Sequence, residues 1–508
     1  MRNMMKKKVL LLCVACASIL LTACQKQPES NSKKPTIMTT IYPVYEFTKE
    51  IVGDKANVEL LIPAGTEPHD FEPSAKDIAK IQQSQTMVYD DPNMETWVGK
   101  VKSSLTDDKV NFIQSTKDMV LLPGGDEEEH DHDHGADGHH HEFDPHVWLA
   151  PSLAKKQVQT ITKELSKQYP KLQKKFATNS QKYLAKLTQL DQEYQKQLGQ
   201  LPQKHFVTQH SAFQYLAVEY GLKQIPIAGI NPEEEPSASK LAELKKLVKQ
   251  YEVQTVFFEE NAQDKIARTL AKEADVKLAV LNPLEGLTKA QIKNGENYLS
   301  VMRQNLQALV KAGSKQPSTK QENTQSKPKT VYNGYFNDEQ IKNRTLKDWQ
   351  GSWQSVYPLV AKGELDQVFH YKAKLNPGKS EKDYRHYYEK GYRTDVKQIE
   401  IQGDTFTFTF DDGTKQSSDY RYVGYKVLNY QAGNRGVRYL FEAKDLQTKA
   451  FKYLQFSDHA ISPQKAGHFH LYFGDESQEA LLNELENWPT YYPSQLSAHE
   501  IAQEMIAH

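Results

Sequence analysis

The stretch SLAKKQVQTITKELSKQYPKLQKKFATNSQKYLAKLTQLDQEYQKQLGQ, residues 152–200, is helix-forming throughout except at Pro170, with Leu, Lys, Gln and Glu dominating. It predicts one long helix over about 152–200 with a kink or break near Pro170, because proline lacks the backbone donor and its ring clashes with the preceding turn. Short apolar runs that predict strands lie on both sides, at 36–41, 58–62, 86–89, 206–208, 255–258 and 277–281, and helical patterns at 44–52 and 74–83 alternate with them. Strands interleaved with helices argue for parallel sheets covered on both faces. The expected architecture of residues 36–312 is therefore α/β, two lobes joined by one long helix.

Four candidate metal ligands fall at one kind of place in this pattern. His69 lies in Gly-Thr-Glu-Pro-His-Asp-Phe-Glu-Pro, just past the strand that ends at Ile62, and His146 lies in Asp-Pro-His-Val-Trp-Leu immediately before the long helix. His210 follows the strand ending at Thr208, and Glu285 follows the one ending at Leu281. Ligands of open α/β sheets gather outside the carboxyl ends of the strands, so all four are placed to converge in a cleft between the lobes.

Between them runs an insert, 124–142, in which His130, His132, His134, His139, His140 and His141 alternate with acids and glycines. Neutral imidazoles beside carboxylates suit borderline divalent metals. The segment has almost nothing apolar to bury, so it is expected to be a disordered loop that recruits ions loosely.

The N-terminus carries Arg2, Lys6, Lys7 and Lys8 and then a 13-residue apolar run to Leu21, the layout of a secretory signal over 1–23. A membrane-crossing helix needs about 20 residues, although an uncleaved anchor is the alternative. Leu21-Thr22-Ala23-Cys24 resembles the lipobox of bacterial lipoproteins, which implies acylation of Cys24 and a tether over 24–35. Cys13 and Cys16 would leave with the signal, so neither a disulfide nor a sulfur ligand is available. With 64 basic and 65 acidic residues the net charge is −1, which gives no reason to expect nucleic acid.

A polar linker at 313–330 separates a second domain, 331–508. Strict alternation in Thr405-Phe406-Thr407-Phe408-Thr409-Phe410, followed by Asp411-Asp412-Gly413-Thr414, predicts a strand and hairpin turn with one buried face. Further strands at 420–428, 437–442, 451–456 and 468–473 predict a mainly antiparallel calycin-like barrel, with closing helices at 476–486 and 498–506. His468 and His470, two apart in a strand, point to one face, and His459 ends the preceding strand. These three imidazoles make a second candidate zinc site, whose fourth position falls to water or an acid. A polar barrel rim is the alternative reading.

The Gly-Thr-Glu-Pro-His-Asp-Phe-Glu-Pro-Ser, Asp-Pro-His-Val-Trp-Leu and Thr-Gln-His-Ser-Ala-Phe motifs resemble the ZnuA-type metal-binding proteins of ABC importers over roughly 36–312. That resemblance implies a metal ion held between the lobes by His69, His146, His210 and Glu285. Three imidazoles with one carboxylate suit tetrahedral zinc at about 2.0–2.1 Å, whereas manganese favours more oxygen donors. A site with four protein ligands keeps no position for an activated water, which speaks for carriage and against catalysis.

Residues 349–358, Phe456-Ser457-Asp458-His459, His468-Phe469-His470 and Trp488-Pro489-Thr490-Tyr491-Tyr492-Pro493 resemble the ZinT family of zinc-binding proteins over roughly 331–508. That family's histidine-rich N-terminal element has no counterpart at 331–343. Both halves in one lipoprotein resemble the fused AdcA-type zinc receptors. The implied function is capture of two Zn2+ ions by a monomer, lipid-anchored at Cys24 on the extracellular face of a Gram-positive membrane. An ABC permease membrane subunit is the implied partner. The competing readings are a zinc hydrolase using the barrel triad and a metal-stabilised adhesin.

Overall fold

The computed structural model describes residues 34–105, 109–124, 143–232, 236–259, 265–318, 329–430 and 433–507. Cys24, the six insert histidines and residues 319–328 of the linker lie outside them. Among the described residues no helix is long and apolar enough to cross a membrane.

The first lobe is a parallel sheet of β1 (Thr36–Thr39), β2 (Asn57–Leu60), β3 (Thr86–Tyr89) and β4 (Asn111–Gln114) in the order β2-β1-β3-β4. Its helix Tyr42–Val52 starts with proline in the first turn, where no backbone donor is needed, and buries Val44, Phe47 and Ile51 completely. Helix Ala75–Gln83 is set by a reciprocal cap between Ser74 and Asp77. The second lobe repeats the plan with β5 (His205–Thr208), β6 (Lys223–Pro226), β7 (Thr255–Phe258) and β8 (Lys277–Val280), all parallel, in the order β6-β5-β7-β8. Each sheet reverses its winding between its first strand and its third, and a switch point of this kind opens a crevice at the carboxyl ends.

The single helix expected over 152–200 is instead a helical hairpin. Pro151–Gln168 ends where Pro170 drives Tyr169 out of helical geometry (φ −119, ψ 65), a 3-10 turn at Pro170–Leu172 follows, and Gln173–Leu198 runs back antiparallel. The Thr162 and Ser180 hydroxyls meet at 2.9 Å and Lys155 pairs with Asp191 at 2.7 Å across the hairpin. Val158, Ile161 and Leu165 lie buried in one core with Phe176, Tyr183 and Leu187. A kink would have left those apolar faces in water, so the reversal is where the hydrophobic gain lies.

The second helix of the hairpin packs against both lobes. Its first half holds lobe one, through Asn179 to the Ile51 carbonyl at 3.0 Å and Tyr183 to Glu46 at 3.0 Å. Its second half holds lobe two, through Tyr194 to the Met302 carbonyl at 2.6 Å and Arg303 to Glu193 at 2.8 Å. At 26 residues it is about 39 Å of continuous rod.

The second domain is a closed antiparallel barrel of β9 (Gly351–Ser355), β10 (Val396–Gln402), β11 (Thr405–Phe410), β12 (Lys415–Asn429), β13 (Arg435–Ala443), β14 (Tyr453–Ser457), β15 (Phe469–Gly474) and β16 (Thr490–Pro493). The β11–β12 turn is the one expected, with Gly413 at φ +85 where a side chain would be strained. Trp353, Phe406, Phe408, Phe456 and Phe469 fill the interior. Helices Asp366–Leu375 and Glu381–Tyr392, absent from the sequence reading, leave the barrel between β9 and β10. The first closing helix is shorter than expected, at Gln478–Leu482, and the second, Ala498–Ala507, lies where it was expected.

The barrel domain docks onto both lobes through these helices, reaching lobe two where His370 meets Glu219 at 2.9 Å. Gln503 bonds both the amide (2.8 Å) and the carbonyl (2.6 Å) of Leu121, and Gln367 bonds the Val120 amide (3.2 Å) and the Asp118 carbonyl (3.0 Å). Val368, Phe369, Ile501 and Ala502 continue the core of the α/β domain. A side-chain amide that satisfies a backbone donor and acceptor together reproduces a strand's pairing and fixes register.

Candidate metal centres

The cleft site is assembled from four separate segments. His69 comes from the loop after β2 and His146 caps the 3-10 turn Val147–Leu149. His210 stands two residues past β5, and Glu285 follows β8. The Nε2 atoms of His69 and His146 lie 3.2 Å apart and those of His146 and His210 3.5 Å apart. Glu285 Oε1 stands 3.2 Å from His146 Nε2, 3.3 Å from His210 Nε2 and 3.7 Å from His69 Nε2. Four donors placed about 2.0–2.1 Å from a central zinc on a tetrahedron stand about 3.3–3.4 Å from each other, so the separations are those of a zinc cage. Glu285 Oε1 is buried with no hydrogen-bond partner, an arrangement of lone pairs that a cation between them relieves.

The backbone around these ligands is braced. Leu284, next to Glu285, holds a left-handed conformation (φ +59) and is bonded by Asn282 at 2.7 Å, while the Glu285 carbonyl accepts from Tyr42 N at 3.1 Å. Trp148 reaches the Pro283 carbonyl at 2.8 Å and so ties the His146 segment to the Glu285 turn. Strain of this sort persists only where surrounding bonds enforce it.

Two carboxylates orient the rings. Asp144 Oδ1 lies 2.7 Å from His146 Nδ1, and Glu259 Oε1 lies 2.5 Å from His210 Nδ1. Each keeps a proton on Nδ1 and turns the Nε2 lone pair toward the centre. Burial opposes charge on His146 and His210, but Asp144, Glu259 and Glu285 outweigh it, holding both pKa values above the ordinary imidazole value, that of His210 far above. Burial likewise opposes charge on Glu285, yet the three imidazoles drive its pKa well below the carboxylate range. Burial lowers the pKa of His69. Glu67, two residues before His69, is pushed up to about 8 by burial and by Glu285. Asp144, Glu259 and Glu67 were not assigned from sequence, although Glu259 follows β7 as His210 follows β5.

His459, His468 and His470 come together in the second domain, with ring centroids 5.9–6.0 Å apart and one donor atom of each within 4.8 Å of the others. The strand begins at Phe469, one residue after His468, and the expected alternation holds: Phe469 and Leu471 are buried in the barrel interior while His470 faces outward. The triad therefore lies on the outer wall of the barrel, beneath the docking helices. His459 adopts a left-handed backbone (φ +64), set by its neighbour Asp458. Asp458 pairs with the wholly buried Arg344 at 2.6 Å and accepts from Trp349 Nε1 at 3.0 Å. His470 Nδ1 meets Thr490 Oγ1 at 2.7 Å. Burial, His459 and Arg438 push the His470 pKa down to about 3, so this ring is neutral and ready to ligate.

Comparison with known proteins agrees with this geometry. The family of the zinc-uptake complex component A, ZnuA, matches residues 37–312, and the ZinT (YodA) family, described as periplasmic, lipocalin-like and zinc-recruiting, matches 327–508. The chain is 54% identical to the zinc-binding lipoprotein AdcA of Streptococcus pneumoniae over 504 residues, covering 99% of this chain and 100% of that protein. It is 51% identical to the zinc-binding protein AdcA of Streptococcus pyogenes over 522 residues, with 99% and 100% covered. The crystal structure of Zn(II)-bound AdcA from Streptococcus pneumoniae superposes with a TM-score of 0.84 at 53% identity, covering 94% of this chain and all of that one. The chain belongs to the AdcA family of zinc-binding lipoproteins, in which a ZnuA-like domain is followed by a ZinT-like domain.

Proposed function

We propose that this protein captures zinc outside the cell and delivers it to an ABC permease membrane subunit, binding one ion in the cleft and a second at the barrel triad. The observation that carries the reading is the cage of His69, His146, His210 and Glu285, whose donor separations of 3.2–3.7 Å suit zinc and whose four protein ligands leave no place for a reacting water. The barrel triad aids capture when zinc is scarce. Lipid on Cys24 holds the monomer to the extracellular face of the membrane, with 24–35 as tether, and the insert histidines collect ions for the cleft.

The domains run 36–312 and 331–508 on either side of the linker. Hydrolysis at the barrel triad is disfavoured because no carboxylate among the described residues lines its cavity to serve as general base.

Calorimetry on chelator-stripped protein tests the two sites. Two zinc equivalents are expected, falling to one in Glu285→Ala and to one in His468→Ala. A single equivalent in the unaltered protein overturns the two-site reading, and zinc uptake by cells that is unaffected in Glu285→Ala overturns the transport reading.

A further inference from the structure

Leu122 and Asp144 flank the insert, with Pro123 and Phe143 bridged between them and it. Their backbones face each other as an antiparallel pair that is closed on one side only. The Asp144 amide donates to the Leu122 carbonyl at 2.8 Å. In an ordinary hydrogen-bonded pair the Leu122 amide would donate back to the Asp144 carbonyl. The Tyr215 hydroxyl stands between those two groups instead, accepting from Leu122 N at 2.9 Å and donating to Asp144 O at 2.6 Å. One hydroxyl therefore completes a ring of three hydrogen bonds and props the pair wider than a direct bond of about 2.9 Å would.

The spacing of this pair bears directly on a ligand. Asp144 Oδ1 accepts from the His146 amide at 2.9 Å and stands 2.7 Å from His146 Nδ1, so one carboxylate oxygen fixes both the backbone and the ring. A shift of the Asp144 backbone is carried to His146 Nε2, which faces the other imidazoles at 3.2 and 3.5 Å. Gln214, with its amide nitrogen turned toward them, reaches Asp144 Oδ2 at 3.0 Å and the Pro123 carbonyl at 3.1 Å. Gln214 and Tyr215 open the helix Gln214–Tyr220 of the second lobe, shortly after His210. Tyr215 is wholly buried, and Tyr371 of the barrel domain backs its ring with centroids 6.4 Å apart. A buried hydroxyl whose donor and acceptor are both engaged has a fixed direction.

We propose that Tyr215, seconded by Gln214, is a positioning residue for zinc in the cleft: its hydroxyl sets the spacing of the Leu122–Asp144 pair, and Asp144 passes that setting to His146. The ligand is thereby anchored to the second lobe rather than to the insert. Without the hydroxyl, two buried backbone groups either lose their partner or close on each other, and closure displaces Asp144. This rests on the reading of His146 as a zinc ligand.

The test uses the full chain carrying His468→Ala, which removes the barrel site, with zinc affinity read by chelator competition and ligand geometry by the visible absorption of bound Co2+. Tyr215→Phe is expected to weaken zinc binding about tenfold, the low end for a residue behind a ligand, and to change the Co2+ spectrum. In an Asp144→Ala background the same change is expected to cost less than about twofold, because the route runs through Asp144. Gln214→Leu, which keeps the phenol, is expected to cost about threefold, the worth of one neutral hydrogen bond. Unchanged affinity and spectrum in Tyr215→Phe overturn the proposal, as does a tenfold loss that persists without Asp144. A Tyr215→Phe chain that is destabilised in urea yet binds zinc as before also overturns it, since the role is then purely structural. If that chain does not fold, an unchanged affinity in Gln214→Leu is the overturning result and a threefold loss the supporting one. Failure of the His468→Ala chain itself to hold one zinc overturns the cleft reading instead.

Discussion

The cleft and the barrel triad each present three histidines, but they stabilise a dication by opposite means. In the cleft the protein supplies the anions: Glu285 beside the rings, Asp144 and Glu259 behind them, and Glu67 nearby, all in a buried setting. The triad is more open, its described cavity lining holds no carboxylate, and its rings are set by backbone and a hydroxyl: Asp458 fixes the turn at His459 and Thr490 steadies His470. The lesson is that ligand identity does not set a site's character. What stands one contact behind the ligands decides whether it is a tight cage or a collecting point.

The largest effect is expected where the barrel site depends on its fold. Asp458→Ala leaves the buried Arg344 without one of its two carboxylates, and breaking such a pair costs about 3–5 kcal/mol. Urea unfolding should show the barrel domain destabilised on that scale; a loss under ~1 kcal/mol, the worth of an exposed pair, would mean that Asp458 does not anchor the His459 turn.

Next come the ring partners, which put the comparison on one scale. Glu259→Gln is expected to weaken cleft zinc binding about 10- to 100-fold, and Thr490→Val to weaken the triad less than about tenfold, since a hydroxyl adds less basicity to its ring than a carboxylate does. Competition with a fluorescent chelator measures both, and equal losses would erase the distinction.

Protons provide a third contrast. His146 and His210 have pKa values raised in the folded protein, so their charged forms stabilise the metal-free state at pH below the ordinary imidazole value, and that stabilisation is lost as pH rises through the raised values. Zinc must displace these protons. Cleft affinity is therefore expected to fall with acidification, by up to about tenfold per pH unit for each proton displaced. His470, at about 3, has none to release between pH 5 and 7. Calorimetry in buffers of differing ionisation enthalpy should find more protons released per zinc at the cleft; the reverse order would refute the electrostatic account.

The smallest effect is expected from deleting residues 124–142. The tightest dissociation constant should change less than about twofold, because loosely collected ions add little to final affinity. A large change would make an insert histidine a ligand of the cleft.

Much of both sites was legible from short motifs. His69, His210 and Glu285 follow strands and His146 precedes a helix, and local strand, helix-start and turn signals locate such positions without knowledge of the fold. Glu259 obeyed the same rule after β7 and was passed over, because a carboxylate after a strand is unremarkable until His210 is found 2.5 Å away. Arg344 was invisible for a similar reason: a lone arginine in a polar run gives no sign that it will be wholly buried between Asp348 and Asp458. The helices Asp366–Leu375 and Glu381–Tyr392 carry many Lys, Tyr and Glu residues and show little apolar periodicity, since their buried faces meet another domain as well as their own.

The chain alone determined the alternation of strands and helices, the β11–β12 turn and the identity of seven candidate ligands, because side-chain period and turn chemistry act over a few residues. Tertiary structure decided that the chain doubles back at Pro170, that the barrel triad sits on the outer wall under the docking helices, and which carboxylates stand behind which imidazoles. Those outcomes depend on which apolar faces find each other across hundreds of residues, and packing complementarity of that range leaves no local mark on the sequence.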